Sequence, residues 1–133
     1  MENLIDKYNN LHYNFNENFS LIFFLGGLFI LSNLFIIPNE IPKEITEILH
    51  SNENVRIERI ISNGQCSPVD FFYDQQETEW LFLLQGKAII SFKNNEKITL
   101  NKGDNLFIPA HKKHRVEKTS TNPPCIWICV YYK

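Results

Sequence analysis

The sequence predicts an all-β fold, a sandwich or barrel of many short strands. From Val55 onward, short runs rich in Ile, Val, Leu, Phe, Tyr and Trp recur at close intervals. Turn-forming residues (Gly, Asn, Asp and Pro) divide them. The chain has 133 residues, 44% of them hydrophobic and 21% charged. That is one domain of ordinary globular composition, long enough to bury a core.

The elements follow in order. Ile41, Ile45, Ile48 and Leu49 fall at helical spacing, with Pro42 in the first turn, which predicts a short helix over residues 42–49. His50 would close it, favouring the helix dipole. Residues 55–62 read as a strand closed by the turn dipeptide Asn63-Gly64. Further strands are expected over 79–84, 88–93, 97–100, 105–108, 114–118 and 126–132. Their dividers are Gln85-Gly86, Asn94-Asn95, the run from Asn101 to Asp104, Pro109, and the run from Asn122 to Pro124. Asn94-Asn95 suits a two-residue hairpin, because Asn tolerates positive φ.

Charge and composition exclude several functions. A net charge of −2 gives no general pull toward nucleic acid or acidic lipid. The basic run Lys112-Lys113-His114-Arg115 reads as a strand entry with solvated lysines, since nucleic-acid binders show a wider basic face. No phosphate-cradling loop and no internal repeat occur. Cys125 and Cys129 share one expected strand, roughly 13 Å apart, too far for a bridge. Cys66 lacks an obvious partner. Free thiols in a reducing cytosol are expected, with Cys66 as a Cys–His nucleophile left as an alternative.

Two blocks carry the chemistry. In the first, Glu79 precedes Gly86 by seven positions; in the second, Gly103 leads to Pro109, His111 and His114. The spacings resemble the paired motifs of the cupin family, G-x5-H-x-H-x3,4-E-x6-G and G-x5-P-x-G-x2-H. The run from Phe72 to Ala88, the run from Ile108 to Thr119, and Ile126-Trp127 resemble a group of small bacterial cupins of unassigned activity. The likeness runs from about Asn33 to the C-terminus. It implies a jelly-roll β-barrel over 32–133, frequently a homodimer, with one divalent transition metal (Zn, Mn, Fe or Ni) held by N and O ligands. It places Glu79 at the ligand carboxylate and His114 at the ligand histidine. His111 stands where the motif has Gly and becomes a further candidate. The first motif's two histidines are absent. Their places fall at Tyr73 and Gln75 with one spacing and at Phe72 and Asp74 with the other, so Asp74 and Gln75 are candidate oxygen ligands. Tyr73, Trp80 and Trp127 are candidates for the pocket rim. Without a metal, Glu79 and His114 would hydrogen-bond each other.

Residues 19–37 form a nearly unbroken apolar stretch, FSLIFFLGGLFILSNLFII. As a helix it would span roughly 28 Å, enough for a bilayer core. It lacks the positive flank of a membrane segment and the cleavage site of a signal peptide. It also overlaps the segment from Asn33 to Pro38 with which related cupins begin. Residues 1–31 therefore read either as a leader ahead of a later start, near Leu31, or as a membrane anchor. Three functions are carried forward: a metal-binding cytoplasmic cupin with a pocket for a small polar ligand, a sensing or storage barrel that binds a small molecule without metal, and a membrane-anchored barrel.

Overall fold

A computed structural model describes residues 19–24 and 27–133 of the chain. They belong to two compact units, one through Ile36 and one over Ile37–Lys133.

In the first unit, β1 (Phe19–Phe24) pairs antiparallel with β2 (Gly27–Ser32), from Phe19 opposite Ser32 to Phe24 opposite Gly27. The apolar stretch, expected as a helix, is thus extended over Phe19–Phe24 and Gly27–Ser32, and a turn follows at Leu34 and Phe35. Phe and Ile favour pleated backbone, and a glycine inside a helix costs about 1 kcal/mol. Among the described residues no helix is long and apolar enough to cross a membrane. Of the leader expected over residues 1–31, the first eighteen residues lie outside the described ones.

The second unit is all-β. Its strands are β3 (Ile45–Ser51), β4 (Val55–Ser62), β5 (Thr78–Gln85), β6 (Lys87–Phe92), β7 (Lys97–Asn101), β8 (Asn105–Ile108), β9 (His114–Thr119) and β10 (Cys125–Tyr132). They form an antiparallel five-stranded sheet, β3-β4-β10-β5-β8, and an antiparallel three-stranded sheet, β7-β6-β9. Both sheets contribute to one core: Leu81, Leu83, Trp127 and Cys129 from the first, Ala88, Ile90, Phe92 and Leu100 from the second. Each strand expected from Val55 onward forms, with ends moved by a residue at most.

The helix over 42–49 does not form; β3 occupies that segment instead. Ile45, Thr46 and Ile48 are β-branched, and an isolated helix of two turns is marginal in water. Pairing with β4 decides the outcome, with Ile45 opposite Ile61 and Ser51 opposite Arg56. Glu47 reaches Arg59 on that neighbour, Oε2 to Nη2 at 2.5 Å. The helical spacing misled because Ile48 and Leu49 are exposed on an edge strand rather than buried on a helix face. His50 is likewise an exposed strand residue.

The β6–β7 hairpin also differs from expectation. Its loop is the three residues Lys93, Asn94 and Asn95, closed by Phe92 N–H to Glu96 C=O at 2.9 Å and Asn95 N–H to Phe92 C=O at 3.0 Å. Asn95 takes the left-handed conformation, φ 66°. That is the three-residue solution, a turn followed by a left-handed residue.

Candidate functional site

β5 supplies Glu79. Side chains alternate along the strand, so Glu79, Leu81 and Leu83 are buried while Trp80 is exposed. β9 opens on His114, which is also buried. The chain between β4 and β5 folds back onto the entry to β9. Tyr73 N–H meets His114 C=O at 2.7 Å, His114 N–H meets Tyr73 C=O at 3.3 Å, and His111 N–H meets Gln75 C=O at 2.7 Å. This extended pairing sends Tyr73 and Gln75 to one side and Asp74 to the other.

At the centre, His114 Nδ1 lies 2.9 Å from the Lys112 carbonyl. A proton on Nδ1 donates to that oxygen, which turns Nε2 toward Glu79 Oε2 at 3.3 Å. Gln75 Nε2 donates to the same Glu79 oxygen at 2.8 Å. Burial opposes the charged form of His114. The hydrogen bond to Glu79, the bond to the Lys112 carbonyl and the negative charge of Glu79 together outweigh it, so its pKa lies above the ordinary histidine value.

A cavity of about 210 Å³ opens beside this pair. Tyr73, Gln75, Glu79, His114 and Trp127 line it, together with Glu44, Glu58, Ser62, Cys129 and Tyr131. Away from the central pair, Trp127 Nε1–H donates to Ser62 Oγ at 3.2 Å, and the Ser62 hydroxyl donates to Glu44 at 2.8 Å. Glu58 accepts from Arg56 Nε at 2.8 Å; Arg56 also reaches Glu77 at 3.1 Å and lies over the Tyr131 ring, 4.3 Å from its centroid. Burial, reinforced by the Glu79 charge, pushes the Cys129 thiol well up. The Tyr131 phenol is raised by burial and then by Cys129 and Glu79. Burial and the Glu44 charge raise Tyr73. With raised pKa values these groups stay protonated and add no charge to the cavity wall.

The remaining sequence candidates sit elsewhere. His111 Nδ1 lies 3.0 Å from Asp74 Oδ1, and Lys113 Nζ lies 3.4 Å from Asp74 Oδ2, in an exposed cluster that does not line the cavity. Trp80 stands on the outer face, where its Nε1–H donates to Asn105 Oδ1 at 2.9 Å and its ring packs on Phe82, centroids 5.3 Å apart. Of the five residues named as metal ligands, three therefore converge: Glu79, His114 and Gln75.

That donor set does not fit a resident metal. Catalytic zinc sites take three protein ligands beside a water, and the non-haem iron site takes two histidines and a carboxylate. Here two are strong, and the third place holds a neutral amide whose NH2 is given to Glu79. Among the described residues no group of three or more His, Cys, Asp or Glu side chains is placed to hold an ion.

Glu44, Glu58, Ser62, Cys129 and Tyr131 were not singled out from sequence. Alternation along β4 and β10 was the available signal: Glu58, Ile60 and Ser62 share one face, as do Trp127, Cys129 and Tyr131. Glu44 was hidden by the helical reading of its segment.

Comparison with known proteins agrees with this architecture. The family model described as Cupin domain matches residues 60–131. The chain is similar to a crystal structure from Ralstonia eutropha JMP134 that carries the provisional name mannose-6-phosphate isomerase. The two share 38% identity over 77% of this chain and 97% of that one, with a TM-score of 0.74. A cupin superfamily protein from Desulfitobacterium hafniense DCB-2 shares the fold at 22% identity, covering 72% of this chain and 83% of its own, with a TM-score of 0.62. An uncharacterized protein of Methanocaldococcus jannaschii is 28% identical over 92 residues, 65% of this chain and 71% of that protein.

Proposed function

We propose that this chain, which belongs to the cupin family, binds a small polar ligand in its barrel, against the Glu79–His114 pair and without a resident metal ion. The observation that carries the reading is the buried contact of Glu79 with His114 and Gln75 at the wall of a cavity lined by hydroxyl, carboxylate, amide and indole groups. Burying a carboxylate is unfavourable unless it is paired, and here an imidazole and an amide satisfy it from within the protein. Polar groups converging beside apolar walls such as Leu81, Ile90 and Val116 are what a small-molecule site needs. A ligand hydroxyl or amine in reach of this pair meets a carboxylate and an imidazole held together, the elementary arrangement for moving a proton.

A metal-holding barrel is the second reading, favoured by the convergence of Glu79 and His114. Elemental analysis of protein purified without an affinity tag, before and after reconstitution with Zn, Mn, Fe or Ni, separates the two. Metal far below one ion per chain, with no uptake, is expected. A stoichiometric ion lost in Glu79→Gln would overturn the metal-free reading. Assembly as a homodimer belongs to the same proposal and is read by sedimentation.

A further inference from the structure

The cavity is unbalanced in charge. Glu44, Glu58 and Glu79 all line it, and among the described residues no Lys or Arg does. Two of the three carboxylates have basic partners: Glu79 has His114, whose raised pKa favours its protonated form, and Glu58 has Arg56. Among the described residues Glu44 has no basic partner. Its hydrogen-bond donor is the neutral Ser62 hydroxyl. Glu44 is exposed whereas Glu79 is buried, so the carboxylate without a basic partner stands on the open side of the cavity and the partnered one deeper. The charge of Glu44 is felt inside, since it helps to raise the Tyr73 phenol. Tyr73 and Trp127 add aromatic rings to the same lining. A carboxylate beside aromatic rings is the environment an ammonium group prefers, through charge pairing and attraction to the ring faces. A phosphate would meet the opposite conditions, with three carboxylates nearby and no Lys or Arg among the lining side chains.

We propose that the cavity selects its ligand by charge, admitting a small amine-bearing molecule in preference to a neutral one and rejecting a phosphorylated one, with Glu44 as the residue that sets the sign. The inference rests on the ligand-binding reading above and names the class of that ligand. It also separates this chain from what the provisional name of its Ralstonia eutropha relative implies, a sugar phosphate.

The test uses the full chain and three probes on one ring: glucosamine, glucose and glucose 6-phosphate. Binding is followed by NMR at the Trp127 indole N–H and the His114 ring, at pH 7 and low salt. Glucosamine is expected to move both signals at roughly ten-fold lower concentration than glucose, with the gap shrinking as salt rises. Glucose 6-phosphate is expected to move neither. In Glu44→Gln the ratio of glucosamine to glucose affinity should fall several-fold; the residue is exposed, so the fold is retained. Binding of the phosphate equal to or tighter than that of the amine, or an unchanged ratio in Glu44→Gln, overturns the charge selection and leaves the ligand-binding reading standing. Silence from all three probes overturns both.

Discussion

His114 Nε2 and Glu79 Oε2 lie 3.3 Å apart, and both side chains are almost wholly buried. Glu79 comes from β5, an inner strand of the five-stranded sheet, and His114 from β9, an edge strand of the three-stranded sheet, so the contact joins the two sheets across the barrel. Its geometry is set from outside the pair. The Lys112 carbonyl fixes the ring of His114, and Gln75 holds the carboxylate.

The pair should make stability depend on pH. The folded pKa of His114 lies above its ordinary value, so the folded protein binds that proton more tightly than the unfolded chain does. The contribution is fully present below about pH 6.5, the ordinary histidine value, and is lost as pH rises through the folded pKa. Urea denaturation across this window should show stability falling with rising pH, and Glu79→Gln should flatten that slope. NMR titration of His114 should show its pKa dropping in the same variant. A pKa unmoved by Glu79→Gln would break the assignment.

Gly86 should tolerate no side chain. Its φ is +89°, and a Cβ there would lie 2.8 Å from Cys125 Sγ and 2.9 Å from Cys125 Cα. Gly103 has a similar φ, +91°, but nothing stands within 4 Å of its Cβ position. Gly103→Ala should therefore cost about 1–2 kcal/mol, the conformational term alone. Gly86→Ala adds a clash with main chain and should cost about 2–4 kcal/mol. Chemical denaturation of the two variants measures the difference; equal losses would mean the contact at Gly86 relaxes freely.

The strands from Val55 onward were legible because burial on one face imposes alternation and because Gly, Asn and Pro punctuate the turns. Glu79 and His114 were legible as positions through the family motif spacing. The choice between Tyr73 with Gln75 and Phe72 with Asp74 was not, since it depends on which main-chain groups of 73–75 pair with 111–114. The same pairing takes His111 and Asp74 out of the site. β3 was misread because an edge strand buries few side chains and leaves no alternation to read. The placement of Trp80 on the outer face follows from its parity opposite Glu79, a constraint already present in the sequence.

The strand at β3 can be tested through its exposed and buried neighbours. Ile48 would belong to the core of a helix, but it is 62% exposed in β3, whereas Ile61 on β4 is fully buried. Ile48→Ser should change stability by no more than about 0.5 kcal/mol. Ile61→Ala should cost about 2–5 kcal/mol. A large loss in Ile48→Ser would argue for the buried helical face instead.

The two tryptophans should separate cleanly. Trp80 is 42% exposed on the outer face, and Trp127 is 4% exposed at the cavity. Trp80→Ala should leave ligand binding unchanged and lower stability by about 1 kcal/mol or less, since it removes one exposed ring contact and one exposed hydrogen bond. Trp127→Ala should cost about 3–5 kcal/mol, because it empties a packed core position. Trp127→Phe is the more informative variant. It keeps most of the ring volume but removes the N–H that holds Ser62, which in turn holds Glu44. Stability should then fall by about 1–2 kcal/mol, the cost of one buried hydrogen bond and some lost packing. Glu44 should lose part of its fixed position, so the preference for glucosamine over glucose should narrow even though Glu44 itself is intact. An unchanged preference in Trp127→Phe, beside a reduced one in Glu44→Gln, would show that Glu44 acts without the Ser62–Trp127 support.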